Sequence, residues 1–127
     1  MHIGWTSRFI TEKDKDDLIR TLRAYGVPVY VTEMDVDMSS LSGPQESRML
    51  RQAEMYKNVI DAVLASDVCR SISFWGIGDK FSWPETSVGH ENGDPTLFDD
   101  SLKPKPAYYA VRSALFEHLE RMQTISP

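Results

Sequence analysis

Two carboxylates stand two residues apart at the end of a β-branched segment. Residues 29–36 read Val-Tyr-Val-Thr-Glu-Met-Asp-Val, which is apolar on both faces, as expected of a buried parallel strand. Because strand side chains alternate between faces, Glu33 and Asp35 should point the same way. A buried charge is costly without a partner, and barrel active sites form at the carboxyl ends of strands. The segment alone leaves two alternatives: a catalytic acid, or an acid that accepts backbone hydrogen bonds.

Three further blocks follow this segment. They are Trp-Gly-x-x-Asp-x-x-Ser-Trp at residues 75–83, Pro-Thr-Leu-Phe-Asp at residues 95–99 and Lys-Pro-Ala-Tyr at residues 105–108. With the Thr-Glu-Met-Asp strand, this order resembles glycoside hydrolase family 10, the retaining endo-1,4-β-xylanases. Met34 departs from the Leu or Ile usual in that family but keeps the apolar volume.

The resemblance implies an α/β fold, a partial (β/α)8 TIM barrel that covers the end of strand six through helix eight. A complete barrel needs roughly 250 residues, and this chain has 127. The family's acid/base glutamate lies in a Trp-x-x-x-Asn-Glu motif on strand four, which this sequence does not contain. We therefore expect residues 1–127 to form the carboxyl-terminal part of a family 10 catalytic barrel, with the amino-terminal strands missing.

The resemblance also implies roles for the polar residues. A retaining glycosidase uses two carboxyl groups about 5–5.5 Å apart, one attacking the sugar and one protonating the leaving group. Glu33 takes the position of the nucleophile. His2 resembles the family histidine that hydrogen-bonds this carboxylate, and Asp35 the acid that orients the histidine. Without the family, a terminal residue such as His2 is better explained as frayed.

Trp75 and Trp83 resemble the tryptophans that line the sugar-binding subsites of the family. Aromatic faces suit the apolar C–H patches of sugar rings, although an isolated tryptophan belongs more often to a core. Asp79, Lys80 and Ser82 are expected to bond the backbone of their own loop.

Composition excludes several other functions. A formal charge of −5 argues against nucleic-acid or anionic-membrane partners, which need a basic face. Cys69 is the only cysteine, so no internal disulfide is possible. Residues 90–94 (His-Glu-Asn-Gly-Asp) lack the regular oxygen-ligand spacing of a calcium loop. We therefore predict neither a metal nor a cofactor.

Periodicity places these motifs on alternating helices and strands, the pattern of βα units on a parallel sheet. A first helix should begin near Thr11 and end at Gly26. A second should begin at Pro44 and end near Ser66. A strand is expected at residues 71–75. The last helix should carry one apolar stripe: Ala107, Val111, Ala114, Leu115, Leu119 and Met122.

The function predicted from the resemblance is retaining hydrolysis of β-1,4-xylosidic bonds, with xylan or xylo-oligosaccharides as substrate, when the barrel is complete. Two alternatives stay open: an inactive truncated barrel that at most binds β-glycans, and another eightfold-barrel glycosidase. We expect secretion because most of the family is secreted, although the chain opens with no signal-peptide pattern. Open sheet edges would favour self-association.

Overall fold

The structure, a computed structural model, describes residues 2–6, 10–82 and 92–125. Strands and helices alternate along it, which confirms the predicted α/β pattern. The elements are β1 (His2–Thr6), α1 (Glu12–Ala24), β2 (Val29–Val31), β3 (Glu33–Asp37), α2 (Gln45–Ala65), β4 (Cys69–Ile72), a 3-10 helix (Asp79–Phe81) and α3 (Pro106–Ile125).

All strand pairs among these elements are parallel. β1 pairs with β3, with His2 opposite Glu33 and Thr6 opposite Asp37. β2 pairs with β4, and beyond β4 the N–H of Ser73 donates to the Val31 carbonyl at 2.8 Å. Because only Thr32 separates β2 from β3, residues 29–37 form one extended segment that has β1 beside its second half and β4 beside its first.

The segment changes face at Thr32. Val29 and Val31 are buried in the core, and so are Met34 and Val36. The core-facing positions are odd-numbered before Thr32 and even-numbered after it, whereas a regular strand keeps one parity. This irregularity turns Glu33 away from the face that holds Val31. The predicted burial of both faces holds in β3, where residues 34–37 are all buried, but not before it, since Tyr30 and Thr32 are exposed.

Local signals place the first two helices as predicted. Thr11 caps α1 by accepting from the N–H of Asp14, and the Asp14 side chain accepts from the N–H of Thr11, which completes a capping box. Gly26, just past the helix, has φ +66°, the left-handed conformation that favours glycine. At the second helix, Pro44 is the N-cap rather than the first helical residue, and Ser66 is the C-cap.

The core lies between the strands and the helices α2 and α3. Tyr56, Val59, Ile60 and Val63 of α2 are buried there with Leu22 of α1. From α3, the core receives Ala107, Val111 and Ala114. The first half of the stripe predicted for α3 therefore faces the core, as the βα pattern requires.

The second half of α3 departs from the expected stripe. Leu115, Leu119 and Met122 are exposed rather than packed. Leu115 and Leu119 border a cavity of about 340 Å³, here called the apolar groove, whose lining also includes Phe74, Leu97, Val111 and Phe116. Among the described helices, none combines the length and the apolar character needed to cross a bilayer.

Candidate active site

Three carboxylates line one face of β3. Glu33, Asp35 and Asp37 occupy alternate positions, and the core residues Met34 and Val36 occupy the positions between them. Glu33 is half-buried, whereas Asp35 is 2% and Asp37 1% exposed. The backbone register sets His2 directly opposite Glu33. The side chain of His2 lies outside the described residues, so the predicted relay from Glu33 through His2 to Asp35 stays a prediction.

Asp37 was not singled out in the sequence. Its Oδ1 accepts from the N–H of Ser39 at 2.8 Å and its Oδ2 accepts from the Ser39 hydroxyl at 2.9 Å. The short spacing of an acid and a serine two residues on is the signature of such a turn. Asp37 therefore closes the end of the strand.

A buried tyrosine connects the carboxylate face with the neighbouring loop. The Tyr56 hydroxyl donates to the Pro95 carbonyl at 2.6 Å. Burial raises the pKa of Tyr56 well above its ordinary value, and the negative charges of Asp35 and Asp79 raise it further. Tyr56 thus acts as a neutral hydrogen-bond donor at this end of the strands.

Residues 93–95 run beside β3. The N–H of Val36 donates to the Pro95 carbonyl at 3.2 Å, and the N–H of Met38 donates to the Gly93 carbonyl at 2.6 Å. The buried Gln52 amide donates to the Val36 carbonyl at 2.8 Å. This stretch of loop is therefore held against the strand that carries the carboxylates.

Trp75 lies beyond the carboxyl end of β4 and next to β3; β4 ends at Ile72, whereas the sequence predicts a strand through residue 75. The backbone N–H of Trp75 donates to the Met34 carbonyl at 3.0 Å, and the residue is 42% exposed. Exposure of this size does not fit a core tryptophan. Gly76 follows with φ +91°, a turn that an L side chain would strain. Trp83, the second predicted platform, lies outside the described residues.

Asp79 does not have the role expected of it. The prediction that it bonds the backbone of its own loop is wrong for the side chain, which reaches two other segments. Its Oδ1 accepts from the N–H and the hydroxyl of Thr96, each at 2.8 Å, and its Oδ2 accepts from Lys105 Nζ at 2.8 Å. Lys105 also donates to the Asp94 and Thr96 carbonyls, at 2.6 and 3.0 Å.

Acidic side chains also border a solvent-open cavity of about 350 Å³, lined in part by Asp79, Asp94, Asp99 and Asp100. Burial raises the pKa of Asp94 above its ordinary value, and the nearby Asp79 charge adds to this. In the part of the chain that the structure describes, no group of three or more His, Cys, Asp or Glu side chains is arranged to hold a metal ion.

Comparison with known proteins matches this arrangement. The model of glycosyl hydrolase family 10 matches residues 1–114. Endo-1,4-beta-xylanase B of Thermotoga neapolitana is 36% identical over 121 residues, 94% of this chain and 34% of that protein. Endo-1,4-beta-xylanase 5 of Pyricularia oryzae is 44% identical over 92 residues, 71% of this chain and 22% of that protein.

Solved structures agree. Native xylanase 10B from Thermotoga maritima superposes with a TM-score of 0.76 at 31% identity, covering 94% of this chain and 38% of that one. Xylanase 10B from Thermotoga petrophila, in complex with xylobiose, gives a TM-score of 0.72 at 32% identity and covers 92% of this chain and 35% of that one.

The fold is that of an α/β-barrel glycosidase, and the chain belongs to glycosyl hydrolase family 10. It corresponds to part of the family's barrel, since it spans about a third of the Thermotoga neapolitana xylanase and about a fifth of the Pyricularia one.

Proposed function

We propose that this chain supplies the nucleophile and part of the sugar-binding surface of a retaining endo-1,4-β-xylanase. The observation that carries the proposal is the hydrogen bond from the backbone N–H of Trp75 to the Met34 carbonyl, 3.0 Å long. This bond sets an exposed aromatic residue beside β3, the strand that presents Glu33 and Asp35. Retaining glycoside hydrolysis requires a nucleophilic carboxylate and a second carboxyl group; Glu33 would be the first, and Trp75 would offer an aromatic face to the sugar.

In this mechanism Glu33 attacks the anomeric carbon as the glycosidic C–O bond breaks, and the leaving oxygen takes a proton from the second carboxyl group of the pair. Water, deprotonated by that same group, then hydrolyses the covalent glycosyl intermediate. His2 would hydrogen-bond Glu33, and Asp35 would orient His2 and fix its tautomer. The backbone register of His2 with Glu33 supports this relay. Trp75 and Trp83 would stack on sugar rings. The second carboxyl group of the pair would come from the rest of a complete barrel.

The proposed substrate is xylan or xylo-oligosaccharides. Structural relatives have been solved with xylobiose and, for a mutant of an intracellular Thermoanaerobacterium saccharolyticum xylanase, with xylotetraose. That relative shows that xylanases of this fold also work inside cells. We propose secretion for this protein from the family expectation alone, and immunodetection outside the cells of the source organism tests it.

Reconstitution tests the proposed nucleophile. Mixed with the separately produced amino-terminal part of a family 10 xylanase, this chain should form an active enzyme because strand pairing and core burial rebuild the site. In that complex Glu33→Ala should abolish xylan hydrolysis, since the covalent route is lost. With an activated aryl xyloside, azide should restore turnover and give the glycosyl azide of inverted configuration, identified by NMR.

Asp35→Ala is the matched control on the same face of β3. It should leave a slower enzyme that still retains configuration, because its proposed task is to orient His2. Near-normal activity of Glu33→Ala with a dead Asp35→Ala would reverse the assignment. An active complex that neither substitution affects would show that β3 does not carry the catalytic residues.

The chain on its own is the second control. Its sequence contains no Trp-x-x-x-Asn-Glu motif, and general acid catalysis is worth roughly 10²- to 10⁴-fold. We therefore expect the purified chain to hydrolyse polymeric xylan at most slowly. Efficient turnover by material of verified mass would mean that another acid of the chain assists the leaving group.

A further inference from the structure

The loop that carries Trp75 is joined to the start of α3 through buried charges. Asp79 and Lys105 are 2% and 3% exposed, and they form an ion pair of 2.8 Å across 26 residues of sequence. A buried pair of this kind is seldom a net source of stability, because desolvation offsets most of the attraction. Its geometric role therefore needs a separate explanation.

Both members of this ion pair make further hydrogen bonds. Asp79 accepts two hydrogen bonds from Thr96. Besides its bond to Asp79, the Lys105 ammonium donates to the carbonyls of Asp94 and Thr96. The ammonium has three protons, so all of them have acceptors. The two charges therefore fix the side chain of one loop, the backbone of a second and the entry to α3 in one arrangement.

Backbone hydrogen bonds attach the loop of residues 75–82 at two further points. The N–H of Asp79 donates to the Phe98 carbonyl at 3.1 Å, while four residues earlier Trp75 is bonded to β3. A Cβ at Gly78 would lie 2.9 Å from Leu102 and 3.1 Å from the Asp99 carbonyl, so the loop passes tightly over residues 98–102. The backbone of Trp75 is therefore attached to β3 while its side chain stays exposed, and the loop is attached again at Asp79.

We propose that Asp79 and Lys105 are positioning residues that hold the loop of residues 75–82 so that Trp75 can stack on a sugar. The stacking itself rests on the function proposed above; the ordering of the loop does not. Both charges act at a distance from the substrate, through the backbone that carries Trp75.

The test uses the full chain with Trp5→Phe and Trp83→Phe, which leaves Trp75 as its sole tryptophan. Acrylamide quenching then measures the accessibility of Trp75, and amide hydrogen exchange measures local opening. In Lys105→Met and in Asp79→Asn, the quenching constant should rise to that of the urea-unfolded chain. Exchange should accelerate at the amides of Trp75, Asp79 and Thr96, while the α2 amides stay protected.

Two controls separate positioning from stability. Lys57→Met removes two ion pairs away from the loop, one with Asp61 and one with Glu117 of α3, and should leave Trp75 unchanged. The double variant Asp79→Asn/Lys105→Met buries no unpaired charge, so its thermal midpoint should recover relative to Lys105→Met. Its Trp75 should nevertheless stay fully accessible, because the connection to α3 is still lost.

Three results would overturn the proposal. The first is a parent chain whose Trp75 is already as accessible as in urea. The second is unchanged quenching in the single variants, and the third is a double variant in which stability and Trp75 protection recover together. In the reconstituted enzyme, Lys105→Met should raise KM several-fold more than it lowers kcat. An inactive complex with the unsubstituted chain would instead contradict the proposed function and leave the fluorescence result standing.

Discussion

Buried carboxylates lie on β3 and at the start of the 3-10 helix that follows β4. Asp35, Asp37 and Asp79 are all nearly inaccessible to solvent, and only one buried cation, Lys105, is found with them among the described residues. Each buried carboxylate is costly unless hydrogen bonds or a counter-charge compensate for lost hydration. Serine, threonine and lysine groups provide this for Asp37 and Asp79.

Asp94 should show the cost of this charge directly. Its pKa is raised, first by burial and then by Asp79, so its ionisation disfavours the folded state. The stability it contributes is complete below its ordinary pKa and is lost as the pH rises through the raised value. Asp94→Asn should therefore stabilise the chain above roughly pH 4, by less than about 1 kcal/mol because solvent screens a half-exposed group.

Thermal unfolding between pH 3 and pH 7 measures this effect. Asparagine also tolerates the left-handed backbone at this position, where φ is +38°. Asp16→Asn, on the exposed side of α1, is the control for losing one charge. A stability gain that does not change with pH would assign the effect to the backbone instead of the carboxylate.

Sequence reasoning found the residues that carry a local signal. Glu33 and Asp35 follow a β-branched run, and Trp75 begins a compact block. The pairing of Asp79 with Lys105 could not be found in this way, because it joins residues 26 positions apart and neither neighbourhood encodes the contact. Asp37 could have been predicted as a third carboxylate on the same face, because it continues the alternation of Glu33 and Asp35.

At the scale of elements, α1 depends on its capping box. Thr11→Ala should lower the free energy of unfolding by about 1 kcal/mol, because the N–H of Asp14 loses its acceptor. Thr21→Ala, an exposed site inside the same helix, is the control and should cost little, since alanine is the better helix former. Denaturant unfolding followed by circular dichroism measures both.

Helix positions were predictable because capping residues, glycine and apolar spacing act within a few residues. Thr11 and Ser66 lie where those rules place them. The change of face at Thr32 was not predictable, because both parities of residues 29–36 offer apolar side chains. Packing against α2 determines which of these side chains face the core, and Glu33 consequently lies on the opposite face.

At the scale of the whole molecule, two strands offer unpaired edges. Within the described residues, β1 pairs only with β3 and β4 only with β2. Open edges invite pairing with another chain, so we expect the isolated chain to self-associate. Sedimentation equilibrium measures this, with Leu119→Glu, in the apolar groove of α3, as a control that leaves both strand edges intact and should not change association through them. A monomer with a sharp thermal transition would contradict the expectation.

The alternation of elements and four sequence blocks were enough to predict the partial barrel. The exposed half of α3 was not predicted, because an apolar stripe does not specify whether its partner is present. Leu115 and Leu119 have the spacing of core residues but contribute to the groove wall instead. The apolar periodicity therefore predicted correctly which side of α3 is apolar, but only the first half of that side is buried.

The apolar groove beside α3 also has a consequence for temperature. Contacts driven by apolar burial have a negative heat-capacity change and weaken on cooling. Complexes that cover Phe74, Leu115 and Phe116 should therefore dissociate in the cold, whereas those held by backbone pairing at β4 should not. Comparing the assembly at ice temperature and at room temperature would show which of the two surfaces brings chains together.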